Sequence, residues 1–149
     1  MQTSVRFSIA VHILLCACVY SGQKKVTSDL IAAQIGTNPV VIRKIMRNLN
    51  DAGMIESPVG IGGIRLLQKP ENITLQDVFK VVEGDGHLFR VHDAVSKDTP
   101  AGRIHDVVAE SFGKLESAMD ETMASMTLGQ LIRDYERPLK KKDTSYILL

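Results

Sequence analysis

Residues 36–53 read GTNPVVIRKIMRNLNDAG, and this stretch decides the fold. Gly36 permits a tight turn, Asn38 is a favoured helix N-cap, and Pro39 suits the first helical position because its φ is preset. The stretch therefore predicts a turn followed by a helix from residue 39 to about residue 52, which Gly53 ends.

The predicted helix has an apolar side and a basic side. The apolar spacing indicates a buried face made of Ile45, Leu49 and one of the two valines at 40 and 41, with Ile42 as a further candidate. The opposite face displays Arg43, Lys44, Arg47 and Asn48. Because the three cations fall within about one helical turn, at least two of them can reach one groove together.

The segments on either side extend this pattern. A helix of about two turns precedes the turn, with Thr27 or Ser28 as its cap. Two extended segments, 54–57 and 64–67, follow the basic helix and are joined by the glycine-rich residues 58–63. This order is typical of a winged helix-turn-helix, in which the second helix enters the DNA major groove and the hairpin lies against the backbone or the minor groove.

The remainder of the chain predicts further helices. Residues 4–19 are mostly apolar and indicate a helix that is buried on most of its surface. Thr74, with Asp77 three residues later, forms a capping-box pattern, and Thr127 caps a last short helix. Between these two caps, apolar residues recur at spacings of three and four from 101 to about 126, which predicts a long amphipathic helix.

The long helix suggests a dimer, because nothing else in the chain is long enough to cover its apolar stripe. Such a stripe often packs against a second copy, and burial within the same chain is the alternative. We expect the dimerisation surface to consist of Ile104, Val108, Leu115, Met119 and Met123. The predicted fold is mainly α with a small β-hairpin: a winged helix-turn-helix (1–70), a dimerisation and effector-coupling region (71–135) and a flexible tail (136–149).

Charge is distributed unevenly along the 149 residues. The net charge is only +1, but residues 1–70 carry eight bases against three acids, whereas residues 71–136 carry six bases against thirteen acids. The N-terminal half is therefore the half suited to phosphates. The composition is ordinary for a globular protein, and no apolar run approaches the roughly 18 residues of a membrane span, so we expect a cytoplasmic protein without a membrane partner.

These patterns predict that DNA is contacted by the turn, the basic helix and the hairpin. The residues expected to contact DNA are Thr37, Asn38, Pro39, Val40, Arg43, Lys44, Arg47, Gly60, Gly62 and Arg65. The simplest alternatives are a basic face that is merely solvated, and an Asn38 that only caps its helix.

Other chemistries have little support. The glycines at 60, 62 and 63 lack the third glycine of a dinucleotide-binding motif, where Arg65 stands instead. His87, His92 and His105 lie near acids, but their spacings match no zinc pattern. Because no nucleophile has a base at a recognisable spacing, we do not expect an enzyme.

The two cysteines exclude a disulfide framework. Cys16 and Cys18 lie two residues apart in a predicted helix, so they point to different faces and cannot pair with each other. They are interpreted as small apolar residues of a buried helix, with an intersubunit redox role as the alternative.

Several segments resemble the IscR/NsrR/CymR family of bacterial regulators. They occur in the order and spacing of that family over about residues 1–135, and the combination is specific although no single motif is diagnostic. The segments are Phe7-Ser8-Ile9-Ala10-Val11, Ser28-Asp29-Leu30-Ile31-Ala32, the helix at 39–52 with Leu49 and Gly53, Gly60-Ile61-Gly62-Gly63, Ile73-Thr74-Leu75-Gln76-Asp77-Val78 and Thr127-Leu128-Gly129-Gln130-Leu131.

The resemblance implies a homodimer built on the long helix, with two winged helices on successive major grooves of a palindromic operator. Cluster-bearing members place three cysteines in a loop that corresponds here to about residues 84–105. This segment has no cysteine, and an iron–sulfur cluster usually needs thiolate ligands, so we predict no cluster and no cofactor. Cluster-free members of the CymR type, and the YwnA-like group especially, share a similar Asn-Pro-Val-Val helix start and a Leu-Phe-x-Val-His segment.

Two further departures from the family bear on function. Even cluster-free relatives can carry a cysteine near Asp98 or Thr99, and its absence argues against thiol sensing at that place. Cluster-bearing relatives can carry a wing arginine for the minor groove, where this chain has Val59.

The sequence thus predicts a homodimeric, cluster-free DNA-binding repressor with an unknown small-molecule or redox effector. Two alternatives remain open: a winged-helix adaptor that binds protein, and a ligand or metal sensor whose DNA contact is secondary.

Overall fold

The computed structural model describes residues 5–57 and 62–137, and the elements named here lie within those ranges. The helices are α1 (Val5–Val19), α2 (Ser28–Ile35), α3 (Pro39–Asp51), α4 (Leu75–Glu83), α5 (Pro100–Ser125) and α6 (Leu128–Glu136). Strands β1 (Ile55–Glu56) and β2 (Arg65–Leu66) pair antiparallel after α3, and a 3-10 turn, Pro70–Asn72, precedes α4. None of the described helices is both long and apolar enough to cross a membrane.

The turn between α2 and α3 forms as the sequence predicts. Gly36 ends α2 in the left-handed conformation, with φ of +67°. Two residues later, the side-chain oxygen of Asn38 accepts a hydrogen bond of 2.8 Å from the backbone N–H of Val40, and Pro39 is the first residue of α3. Thr27, rather than Ser28, caps α2 by accepting a hydrogen bond from Leu30. A stop and a start within three residues fix the direction of α3 relative to α2.

Helix α1 lies at the centre of the core. Its buried residues include Ile9, Ala10, Ile13 and Leu14, and the helix packs against α3, α4, α6 and β2. The same hydrophobic cluster contains residues from both sides of residue 70: Ile31, Ile42, Ile45, Leu49, Ile55, Ile73, Val78, Val82 and Leu128. The predicted boundary at residue 70 thus separates regions with different predicted roles, but one hydrophobic core includes residues from both regions.

The buried face of α3 differs from the predicted one. Ile42, Ile45 and Leu49 are fully buried, whereas Val40 is 59% exposed and Val41 is 40% exposed. The expectation that one of the two valines is buried was wrong. At 100° per residue, positions 42, 45 and 49 centre on one side of the helix, and Val40 falls on the opposite side.

The starts of α4 and α6 lie side by side. Thr74 and Thr127 form an isolated antiparallel bridge, in which Leu75 N–H donates to Met126 O and Leu128 N–H donates to Ile73 O, both at 2.9 Å. Each threonine also heads a complete capping box, as predicted for Thr74 with Asp77. The end of α5 is thereby tied to the helix that packs on α1 and α3.

Leu128→Ala should lower the free energy of unfolding by about 2–5 kcal/mol, because a fully buried side chain is removed and a cavity remains. Since Leu128 shares the core with α1, urea denaturation followed by circular dichroism at a fixed protein concentration should show one cooperative transition. Leu67→Ala is the control, because its half-exposed side chain should cost less than about 1 kcal/mol. A separate transition that leaves α1–α3 intact would contradict the shared core.

Candidate nucleic-acid interface

The solvent side of α3 carries a basic row. Arg43, Lys44 and Arg47 are all exposed, and Val40 heads the same row one turn earlier. Within residues 5–57 and 62–137, none of the three cations has an ion-pair partner. Their charge is thus not neutralised by the described part of the chain and is available to a polyanion.

Thr37, Asn38 and Pro39, which were also predicted to contact DNA, lie at the start of α3. The Asn38 side chain is used as the cap, and the backbone N–H of Thr37 donates to Ala32 O at 3.1 Å. Pro39 has no N–H to offer. Asn38 therefore has a structural role that needs no DNA, and a phosphate at this end would meet the positive end of the helix dipole.

The base of the hairpin is held against the segment before α2. Ile64 N–H donates to Val26 O at 2.9 Å. Gly63, with φ of +82°, comes so close that a Cβ there would lie 2.9 Å from the backbone nitrogen of Val26. The predicted Gly62 lies beside the Lys25 side chain, whereas Gly60 lies outside the described residues. Glycine at 63 is thus required by close packing as well as by backbone conformation.

Arg65 lies on the hairpin with a partner of its own. It faces Glu56 across the two strands, and its Nε is ion-paired with Glu56 Oε1. The Arg65 side chain remains mostly exposed. A phosphate would therefore have to compete with Glu56 for this guanidinium, whereas the α3 cations have no such partner among the described residues.

An open cleft of about 500 Å³ separates α3 from the hairpin. Arg43 and Arg47 line one wall and Gly62 and Gly63 the other, and Thr27 lies among the lining residues. Cationic and hydroxyl groups along a cleft suit a phosphodiester backbone. The cleft brings together residues that the sequence assigned separately to helix and wing.

Lys25 is a candidate that sequence reasoning counted as a charge but did not place in the site. The structure puts its side chain against Gly62 at the foot of the hairpin. Its neighbour Lys24 lies over the ring of Tyr20, with Nζ 4.4 Å from the centroid. The sequence signal that could have identified Lys25 is the basic pair Lys24-Lys25, which shortly precedes the α2 cap Thr27.

The predicted dimerisation stripe is only partly uncovered. Ile104, Leu115 and Met119 are exposed and Val108 is half-buried, all along one face of α5. Met123 is buried by its own chain, so the expectation that the whole stripe lacks cover was wrong at that position. The bend of the chain into α6 brings α4, α6 and α1 around that end of α5.

The segment between α4 and α5 is fastened to α5 by Glu116. Its carboxylate accepts a hydrogen bond of 3.0 Å from Phe89 N–H and lies 3.0 Å from His87 Nδ1. These contacts, Phe89 first, hold the pKa of Glu116 below its usual value. Phe89 also packs on Phe112 with ring centroids 5.9 Å apart.

The histidines make local contacts rather than a metal site. His105 Nε2 lies 2.9 Å from His92 O, and the two rings pack edge to face. Among the described residues, no group of three or more His, Cys, Asp or Glu side chains is arranged to hold a metal ion.

The cysteines do not suit an iron–sulfur cluster. Both lie on α1, where Cys16 is buried and Cys18 is half-buried. Burial raises the pKa of Cys16 and, with a smaller effect of Glu71, raises the pKa of Cys18 to about 11. The thiolate is the form that ligates metal, so two protonated thiols on separate faces of one helix do not fit a cluster.

The family is shown by comparison with known proteins. A family model described as "Rrf2: Iron-dependent Transcriptional regulator" matches residues 3–134. The chain belongs to the Rrf2 family. The protein is therefore a member of a family of transcriptional regulators rather than of enzymes, as the sequence predicted. The predicted family resemblance is confirmed.

Individual relatives agree with the family. "Putative HTH-type transcriptional regulator YwnA" of Bacillus subtilis (strain 168) is 33% identical over 124 residues, 83% of this chain and 91% of the relative. The structure of CymR, the global cysteine regulator of B. subtilis, superposes with a TM-score of 0.70 at 21% identity and covers 89% of this chain and 97% of that one. The crystal structure of "a putative DNA binding protein" gives 0.65 at 29% identity, over 85% and 98%.

The fold prediction is also confirmed. Six described helices and a small antiparallel hairpin, matched to CymR over most of both chains, make a winged-helix regulator. The family description names iron, but the donor set described above does not fit a metal centre within the described residues. Iron therefore has no role in the function proposed below.

The protein purified without oxygen should be colourless and contain less than stoichiometric iron and sulfide, because the loop between α4 and α5 offers no thiolate. Absorption spectra and iron analysis measure this directly. DNA affinity should be the same before and after treatment with a chelator. A brown anaerobic preparation with iron and sulfide in equal, stoichiometric amounts would overturn the prediction.

Proposed function

We propose that this Rrf2-family protein is a homodimeric repressor that binds a palindromic DNA operator in the cytoplasm and uses no iron–sulfur cluster. The observation that carries the proposal is the row of three cations on the solvent face of α3, which have no ion-pair partner in the described part of the chain and lie next to the cleft that the hairpin bounds. A relative at 29% identity whose structure is described as "a putative DNA binding protein" supports it.

In this proposal, α3 lies in the major groove and the cleft accepts the phosphate backbone. Arginine can bond two acceptors of a guanine edge at once, whereas a lysine acts as a point charge on phosphate or base. Arg43 and Arg47 line the cleft, so each can serve a base edge or the adjoining backbone. Lys25 and Thr27 extend the positive and hydroxyl-bearing surface toward the hairpin.

Arg43→Ala and Arg47→Ala should each weaken operator binding without unfolding the protein, since both side chains are exposed. Loss of a base contact should cost about 1–3 kcal/mol and relax sequence preference, whereas loss of a phosphate contact should weaken all sequences alike. Fluorescence anisotropy distinguishes a base contact from a phosphate contact when each variant is titrated with an operator selected from a random duplex pool and with a scrambled duplex. Arg133→Ala on α6 removes the same charge away from α3 and is the control. Unchanged affinity in both α3 variants would refute the assignment.

The dimer is proposed from the uncovered part of α5. Ile104, Leu115 and Met119 leave an apolar strip on a 26-residue helix, and exposed contiguous apolar surface is typical of a subunit interface. Two copies packed along this strip would carry two α3 helices, which fits a two-fold operator.

Leu115→Asp should break this dimer. The side chain is 50% exposed in one chain, so the single chain should tolerate the change, but in the dimer both copies would bury a charge. Light scattering should give the mass of one chain, and operator affinity should fall steeply because the gain from the second α3 is lost.

Leu67→Asp is the matched control for the light-scattering mass. Leu67 is also 50% exposed, but it lies outside the α5 strip. This variant should remain a dimer. A folded Leu115→Asp dimer with normal operator affinity would show that the strip does not join the subunits.

A ligand-sensing role is the second candidate, and an apolar cavity of about 400 Å³ favours it. The cavity lies where α1, α4, α5 and α6 meet, and its lining includes Phe79, Leu88, Met119 and Met123. This size suits a small molecule. Because Met119 also belongs to the α5 strip, an apolar effector there would touch the proposed dimer surface.

A redox effector acting through the cysteines is less suited to the structure. The raised pKa of both thiols disfavours the reactive thiolate. Native mass spectrometry of the purified protein distinguishes the candidates: a co-purifying molecule would support the sensing role, and a protein partner in place of DNA would support an adaptor.

A further inference from the structure

Two valines occupy the solvent-facing start of α3. Val40 is 59% exposed and Val41 is 40% exposed, whereas Ile42 beside them is fully buried. Val40 precedes Arg43 by three residues and Lys44 by four, so it lies on the same helix face as these cations. The Val40 side chain is therefore mostly exposed at the head of a basic row and is not part of the buried core.

The position of Val40 is rigid. Its backbone N–H is bonded to the Asn38 side chain at 2.8 Å, and Pro39 fixes the preceding φ. A β-branched side chain in a helix has one strongly preferred rotamer. The two methyl groups of Val40 are therefore held at a defined place at the N-terminal end of α3.

That end of a recognition helix is the one that contacts base edges. A valine side chain cannot donate or accept a hydrogen bond, so it discriminates only by apolar contact. In the major groove, the C5-methyl of thymine is the apolar group that a base edge presents. The neighbouring cations favour DNA over an apolar protein surface as the partner of this face.

We propose that Val40, flanked by Val41, recognises the C5-methyl group of a thymine, so that each half-site of the operator contains a thymine where the start of α3 meets the bases. The inference rests on the proposed DNA-binding function and adds the chemical feature that is recognised. Cytosine at that position would present no methyl group and an amino donor instead.

Replacing thymine by deoxyuridine tests this, because it removes one methyl group and leaves base pairing intact. The full-length protein is first used to select an operator from a random duplex pool. Each thymine is then replaced in turn, and the Kd is measured by anisotropy. Wild-type affinity should fall about fourfold per half-site at one thymine position, the effect expected for one buried methyl group.

Val40→Ala should bind more weakly than wild type and should show a smaller deoxyuridine effect at that position, because two methyl groups are replaced by a single β-carbon. Its melting temperature should equal that of wild type, since the side chain is exposed. Val95→Ala, which trims a valine of 47% exposure in the segment between α4 and α5, should keep the full deoxyuridine effect.

Two results would overturn the inference while leaving the DNA-binding function intact. One is sequence-specific binding that changes less than twofold at every deoxyuridine. The other is an equal deoxyuridine effect in wild type and Val40→Ala, which would assign the methyl group to another residue or to DNA shape. Failure to select any sequence would overturn the inference and the proposed function together.

Discussion

The packing of Ile42, Ile45 and Leu49 into the core around α1 fixes which side of α3 faces solvent. Everything proposed for the interface depends on this constraint, because a rotation of α3 by one residue would move its outward row by 100°. The Asn38 cap and the Gly36 turn set where the helix begins, and the three buried side chains set its rotation. Together they present three cations and one valine in a single row without any ligand.

The same core joins this row to the rest of the protein. Helix α1 contacts α3 on one side and α4 and α6 on others, and the bridge between Thr74 and Thr127 ties the end of α5 to the start of α4. The apolar cavity lies at this junction. In the ligand-sensing proposal, a change in packing at this cavity would reach α3 through α1 and α4, and this would couple the ligand to DNA affinity.

Local signals were sufficient to predict most elements. Caps and stops such as Asn38, Thr74 and Thr127 placed the helices within one or two residues, because capping is decided by neighbours in sequence. Arg65 and Gly62 were correctly predicted to lie in the hairpin, although each strand has two residues rather than the four predicted.

Contacts between distant segments were not predictable in the same way. The choice of Ile42 over the valines, the burial of Met123 and the placement of Lys25 against Gly62 all depend on tertiary packing. The pairing of Arg65 with Glu56 needed the strand register, which a run of glycines leaves open. The apolar stripe of α5 suggested paired subunits, and the family resemblance added the expectation that the pair binds a two-fold operator.

In the proposed function, the exposed cations of α3 and the adjoining cleft bind DNA phosphates and bases. The most direct test is the salt dependence of operator affinity for the wild-type protein. Each phosphate neutralised contributes about −0.9 to the slope of log K against log salt, so two copies that each neutralise four phosphates with Lys25, Arg43, Lys44 and Arg47 should give a slope of about −7. A slope near zero with binding retained would contradict the claim.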